Sequence, residues 1–329
     1  MSMTEKILQI SNLKTHFFTS RGIIKAVDGN QIEIRRGESV GLVGESGSGK
    51  SVTAHSVMRL IPSPPGRIID GSILFKGEDL LKKTENEMRK IRGEKIAMCF
   101  QDPMTFLNPV QRVGNQIAEA ILLHQDVTEK EAHELAIEAM RKVQIPSPAE
   151  RSWDYPHNLS GGMRQRILIA AAISCNPELL IADEPTTALD VITQADILDL
   201  LVEVRQKIDS SLLLISHDLG IIAQTCDQIY VMYNGKPMES GSTRQIFREP
   251  MHPYTEGLLE SLPRIHGELR EKLKAIPGQV PDPINPPTGC RFHPRCPYAM
   301  PICKEKEPPF IDMGDRRSVA CFKVNPPEK

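Results

Sequence analysis

Residues 44–51, Gly-Glu-Ser-Gly-Ser-Gly-Lys-Ser, fit the phosphate-loop pattern G-x-x-x-x-G-K-S. They stand between 39–43, which reads as a buried strand, and 50–60, which reads as a helix. That context is what the chemistry demands. A strand must deliver the loop, a helix must begin under it, and glycines must let backbone N–H groups wrap a phosphate. Lys50 supplies a point charge to the β- and γ-phosphates, and Ser51 can ligate Mg²⁺. An α/β fold is therefore expected, with Gly44, Glu45, Ser46, Gly47, Ser48, Gly49, Lys50 and Ser51 binding a nucleotide.

Other residues supply the remaining parts of a nucleotide-hydrolysing site. The apolar run Leu179-Leu180-Ile181-Ala182 ends in Asp183-Glu184, so a strand delivers two carboxylates to its tip. Asp183 can hold Mg²⁺, and Glu184 can orient or deprotonate an attacking water. Gln101 follows 96–100 and can reach Mg²⁺ and that water, while His217 follows 212–216 and can bond the γ-phosphate. Spacing alone would not promote either, since a lone His or Gln at a strand end is usually structural. A second Gly-rich helix start lies at 159–166, Leu-Ser-Gly-Gly-Met-Arg-Gln-Arg. Ser160 is a good N-cap, Gly161 and Gly162 expose backbone N–H groups, and Asn176-Pro177 stops the helix. Such a terminus can bind an anion.

The 329 residues suffice for a full core and two domains. Strands are expected at 7–18, 31–34, 71–75, 179–182 and 212–216, with helices at 193–207 and 218–225. From about 86 to 156 the pattern turns mainly helical, as in a helical insertion, and 229–239 reads as a hairpin turning at Asn234-Gly235. With 40 Lys+Arg against 42 Asp+Glu there is no electrostatic footprint for nucleic acid or anionic lipid. No apolar run is long enough to span a bilayer and no signal-peptide pattern is seen, so a cytoplasmic protein is expected.

Cys99, Cys175 and Cys226 sit in or beside apolar segments and read as core residues, whereas Cys290, Cys296, Cys303 and Cys321 crowd the end. Residues 277–329 also hold 12 of the 26 prolines. The C-x5-C-x6-C-x17-C spacing admits two disulfides, a zinc site or an iron–sulfur cluster. A reducing compartment disfavours disulfides, and structural zinc prefers tighter pairs. A Pro-rich tail buries little core, so a metal would supply its folding energy.

Taken together, these residues resemble the ATP-binding cassette (ABC) family, the motor subunits of membrane transporters, over essentially the whole chain. In family terms 44–51 matches the Walker A loop, 180–184 the Walker B strand, Gln101 the Q-loop, 159–162 the signature motif, 188–190 the D-loop with Asp190, and His217 the switch histidine. Phe17 falls where an aromatic ring stacks on adenine, with Phe18 a weaker candidate. Met163 departs from the glutamine usual after Leu-Ser-Gly-Gly. His252-Pro253-Tyr254-Thr255, Pro277-Gly278 and 289–297 resemble the C-terminal region of dipeptide and oligopeptide importer ATPases, closest to the dipeptide-type subunit.

The resemblance implies a P-loop nucleotide-binding domain over 1–260: a RecA-like mixed sheet core, an antiparallel β subdomain and a helical subdomain at 86–156. It implies a small metal-bound extension over 261–329. It implies catalytic roles for Glu184, His217 and Gln101, and Mg²⁺ on Ser51, Gln101 and Asp183. ATP would be sandwiched so that Ser160, Gly161 and Gly162 act on a partner's nucleotide. A [4Fe–4S] cluster on Cys290, Cys296, Cys303 and Cys321 is implied, with Zn²⁺ as the alternative. The implied setting is the cytoplasmic face of a membrane, where a permease is driven together with a second ATPase subunit. That subunit would be a different chain, or else a second copy. An extracytoplasmic binding protein takes part indirectly, and nucleic acid is no partner. Related importers of metal complexes or glutathione, and soluble ABC proteins without a transporter, are the alternatives.

Overall fold

The computed structural model describes residues 5–187, 189–262 and 275–326. Its strands, in chain order, are β1 (Lys6–Thr19), β2 (Gly22–Arg35), β3 (Ser39–Val43), β4 (Gly66–Phe75), β5 (Glu78–Asp79), β6 (Ile96–Cys99), β7 (Leu179–Asp183), β8 (Ser211–Ser216), β9 (Gln228–Tyr233), β10 (Lys236–Ser242), β11 (Ile311–Asp312) and β12 (Ser318–Val319). The chain forms two compact units, one of residues 1–7, 35–38 and 82–214, the other of 8–34, 39–81 and 215–329.

The second unit carries the phosphate loop. Its four-stranded sheet runs in the order β2-β1-β4-β5. β4 pairs antiparallel to β1 from Leu8↔Phe75 to Phe17↔Gly66. β2 is much longer than the expected 31–34. Asp28, Gly29 and Asn30 are poor strand formers, but distant partners hold them. Asp28 N–H donates to the Gly235 carbonyl, and the buried Asn30 amide donates to Thr53 Oγ1 at 3.1 Å. β3 is buried along its length and pairs parallel to β9, from Val40↔Gln228 to Val43↔Val231. β9 and β10 form the expected hairpin. Asn234 and Gly235 both take positive φ (45° and 81°), as a two-residue type I′ turn requires.

In the first unit, β7 lies between β8 and β6 and is parallel to β6, with Ile96↔Leu179 to Cys99↔Ala182 in register. Residues 86–156 are therefore not all helical. β6 is a fully buried core strand inside that stretch. Four apolar or small residues carry no period by which to tell a strand from a helix turn. Helices follow at Val113–His124 and Glu129–Lys142. The latter opens with a capping box, Thr128 with Glu131, and buries Ala132, Ala136, Ala139 and Met140 on one face.

The C-terminal segment, too poor in apolar residues for a core of its own, is anchored in the second unit by three buried arginines. Arg291 bonds Asp28 and the Asn234 carbonyl. Arg295 bonds Glu45. Arg317 bonds the fully buried Glu239 at 3.2 Å. Glu239 also accepts from the N–H groups of Met251 and His252 at 2.8 and 2.9 Å. Each acid is thus paired and hydrogen-bonded, the condition under which a buried charge is tolerated. Burial pushes Asp28 upward, but Lys236 and Arg291 outweigh it and hold the carboxyl below its usual range.

Candidate functional site

The phosphate loop leaves β3 at Gly44 and enters the helix Lys50–Val57. Gly44 and Gly49 have φ of 150° and 101°, and a Cβ on them would stand 2.1 Å from the Met232 carbonyl oxygen and 2.2 Å from that of Ala26. Backbone packs directly on backbone here, so only glycine fits. Gly47 faces open space, but its φ of 77° favours glycine too. Lys50 is 5 % exposed, and its Nζ donates to the carbonyls of Gly44 (2.8 Å) and Glu45 (3.1 Å). Ser46 and Gly47 are exposed at the loop tip, Ser48 is buried, and Ser51 is half-buried on the first helical turn. The loop thus places a cation and a run of N–H groups at the start of a helix, the arrangement that binds polyphosphate.

At the tip of β7, Asp183 is buried (3 % exposed) and Glu184 follows in a left-handed conformation with φ 44°. Glu184 Oε2 accepts from Gln101 Nε2 and from Thr187 Oγ1, both at 3.0 Å. Residues 83 positions apart, which spacing alone could not pair, are therefore in direct contact. A carboxylate held by two donors keeps one geometry, as a group orienting a water must. Sequence reasoning missed Thr187, which stands three residues after Glu184 on the following turn. Cys99 lies behind Asp183, where burial and then the Asp183 charge push its thiol up to about 12. It is a packing residue.

In the same unit the helix Gly161–Ile173 begins at Ser160, whose hydroxyl accepts from the Met163 N–H at 3.3 Å. The cap is real, and Met163 takes part through its main chain, which any residue could supply. Gly161 and Gly162 sit on the first turn close to the D-loop region. A Cβ on Gly162 would stand 2.7 Å from Thr193 Cγ2, and one on Gly161 3.5 Å from Leu189 Cδ2. Asp190 caps the helix Val191–Lys207 through Thr193 N–H at 3.0 Å. Ala188, the first residue of the D-loop match, lies outside the described residues.

In the second unit Phe17 is half-buried near the end of β1, its ring edge over Gly66, where a Cβ would come within 2.9 Å of it. Phe18 is 45 % exposed with the Arg67 guanidinium 5.8 Å from its ring centre. His217 is exposed just beyond β8, next to Asp218, which caps the helix Leu219–Thr225.

The four C-terminal cysteines converge. Cys290, Cys296, Cys303 and Cys321 line one cavity of about 20 Å³ with His252, Phe292 and Phe322. Burial raises the thiols of Cys296 and Cys321 and pushes Cys290 up to about 12. The donor chemistry fits a Cys₄ group. Among the described residues, however, no three His, Cys, Asp or Glu side chains are grouped as ligands of one metal ion. Thiolates on a single tetrahedral ion stand roughly 3.8 Å apart, from metal–sulfur bonds of about 2.3 Å. The expectation of a metal-bound extension is thus corrected to a coarser finding: a segment held by arginine clamps whose cysteines face one another. Neither the iron–sulfur cluster nor the zinc alternative gains support from this grouping. Among the described residues no helix is long and apolar enough to cross a membrane.

Two family models match the chain, ABC transporter over residues 27–187 and the C-terminal region of oligopeptide/dipeptide transporters over 238–303. The chain is 51 % identical to the oligopeptide transport ATP-binding protein AppD of Bacillus subtilis, over 96 % of each chain. It is 48 % identical to the dipeptide transport ATP-binding protein DppD of the same organism, over 97 % of this chain and 95 % of that one. Among solved structures, a dimeric bacterial ABC transporter cassette, MJ0796, superposes with a TM-score of 0.64 at 25 % identity. It covers 72 % of this chain and 99 % of that one.

Proposed function

The chain belongs to the ABC transporter ATPases of the oligopeptide/dipeptide family, and on that premise we propose that it is the ATP-hydrolysing motor of a peptide importer. The observation that carries the hydrolytic part is Glu184, held by Gln101 and Thr187 at the tip of β7. Likeness to relatives named for oligopeptide and dipeptide transport, running through the C-terminal segment, supports the peptide assignment. In this reading residues 1–260 form the ATPase cassette and 261–329 the extension. The loop at 44–51 holds ATP with Mg²⁺ on Ser51, Gln101 and Asp183, Phe17 meets the adenine, and His217 contacts the γ-phosphate. Glu184 withdraws a proton from the attacking water. The motor works at the cytoplasmic face, docked on permease subunits and paired with a second ATPase subunit. ATP drives the cycle only by binding the closed pair more tightly than the open one.

Reconstitution tests the assignment. ATPase activity of the assembled transporter should rise when a peptide-loaded binding protein is added. Failure to co-purify with any permease, or stimulation by ribosomes or DNA, would overturn it. Stimulation by a metal complex or glutathione alone would overturn the peptide part.

Ser160, Gly161 and Gly162 are assigned to the partner's nucleotide. Ser160→Arg should leave ATP binding to the isolated chain intact. Hydrolysis by the assembled pair should fall at least about tenfold, because the hydroxyl cap is lost and a bulky side chain crowds the N–H groups of the helix start. Loss of nucleotide binding in the isolated chain would instead place Ser160 in its own site.

We further infer that Cys290, Cys296, Cys303 and Cys321 hold a [4Fe–4S] cluster. Their convergence on one cavity supports it, as does the C-x5-C-x6-C-x17-C spacing, wider than the close pairs of structural zinc. Bound there, it would tie four points of the segment together. Anaerobically purified protein should show broad brown absorption that Cys303→Ser abolishes, whereas a colourless protein with stoichiometric zinc would overturn the inference.

A further inference from the structure

Arg295 lies between two of the cavity cysteines in sequence, yet its side chain faces the phosphate loop. Nη1 and Nη2 bond the two carboxylate oxygens of Glu45 at 2.7 and 3.1 Å, a bidentate fork. Nε donates to the Pro277 carbonyl at 3.0 Å, Nη2 to that of Ile276 at 3.3 Å, and Nη1 to Tyr233 Oη at 3.3 Å. All three nitrogens are engaged, and the side chain is 5 % exposed. Glu45 is held at its other polar groups as well. Its N–H donates to Tyr254 Oη at 2.9 Å, and its carbonyl accepts from Lys50 Nζ and from the Ser48 N–H. Tyr254 packs in turn on Tyr233 and on Phe292, which lies on the same turn of chain as Arg295.

We infer that Arg295 is a positioning residue for nucleotide binding, through which the C-terminal segment sets the phosphate loop's affinity for ATP. Two physical effects act together. A carboxylate within a loop built to receive a polyphosphate repels it unless a cation is held against that carboxylate. Arg295 supplies that cation without touching the nucleotide. The fork also fixes the first variable residue of the loop, so the N–H groups that follow start from one conformation and less ordering entropy is lost on binding. Every member of the clamp (Glu45, Tyr233, Tyr254, Ile276, Pro277, Arg295) belongs to one compact unit.

The inference rests on residues 44–51 being the ATP loop, and titration of the full-length wild-type chain with ATP tests that first. If the wild type fails to bind ATP, the loop reading itself falls. If it binds, Arg295→Gln should weaken ATP binding about tenfold, the change expected when one charge-assisted pair is broken. KM for ATP should rise with kcat held at saturation, and the loss should be greater for ATP than for ADP. Arg295→Lys, which keeps the charge but not the fork, should recover part of the affinity. The double variant Glu45→Gln/Arg295→Gln should bind no worse than Arg295→Gln alone, since both act through one pair. Arg295→Gln binding ATP within about twofold of wild type while melting normally would overturn the inference. So would losses in the double variant that multiply as for independent sites, or equal losses for ATP and ADP.

Discussion

Glu184→Gln should bind ATP as tightly as the wild type and hydrolyse it about a thousandfold more slowly, within the range usual for removing a general base. The structure explains why binding should survive. A carboxamide oxygen in the same place still accepts from Gln101 Nε2 and Thr187 Oγ1, and the left-handed turn at φ 44° is as open to Gln as to Glu. What disappears is the capacity to take a proton. With ATP bound and not consumed, paired subunits should accumulate in the closed state, visible as a nucleotide-dependent increase in mass. Single-turnover hydrolysis is the decisive measurement. A rate within about tenfold of wild type would remove Glu184 from the chemistry and leave it a loop-ordering residue, because a lost base costs about a hundredfold at least.

Gly49→Ala is expected to be nearly as severe by a different route. Every side chain of the loop is kept, including Lys50 and Ser51. Yet a methyl group at position 49 meets the Ala26 carbonyl oxygen at 2.2 Å, at a φ of 101° that alanine does not adopt. The strained backbone alone costs on the order of 1–3 kcal/mol, and relief requires the loop to move. A displacement of about 1 Å in a positioned group can cost a hundredfold, so ATP affinity should fall by at least about that factor. Thermal unfolding should also shift several degrees downward. Affinity within about fivefold of wild type would show that the loop and the Ala26 strand can part without loss of function, contrary to the packing argument.

These two residues also show how much of the molecule was legible beforehand. Gly49 and Glu184 announce themselves because phosphate chemistry fixes residue type and local spacing, and β3, the hairpin at Asn234-Gly235 and the cap at Ser160 are equally local. β6 was legible only as the short run ahead of Gln101 inside a stretch that otherwise reads as helical, being too short to display a period. The lower half of β2 was concealed by turn-forming residues that Gly235 and Thr53 hold extended from far along the chain. The arginine clamps were the least visible. Arg295 and Glu45 stand 250 positions apart, and nothing near either one names the other. The cysteine pattern singled out four side chains that line one cavity, but it carried no information on what such a group could hold.

The glycines of the phosphate loop have one further consequence. At Gly44 and Gly49 the loop rests on the main chain of β9 and β2, and Gly235 N–H donates to the Ser48 carbonyl at 2.9 Å from the hairpin turn. Three stretches of polypeptide thus meet without intervening side chains. Such a seam offers nothing to repack when one stretch changes course, because adjustment in proteins is made chiefly by swapping side-chain volume. Chimeras with a distant cassette should therefore tolerate exchange of the loop only when residues 24–30 and 230–236 travel with it. The heritable unit around the phosphate is not the eight-residue motif but a knot of three segments scattered over some two hundred positions of sequence.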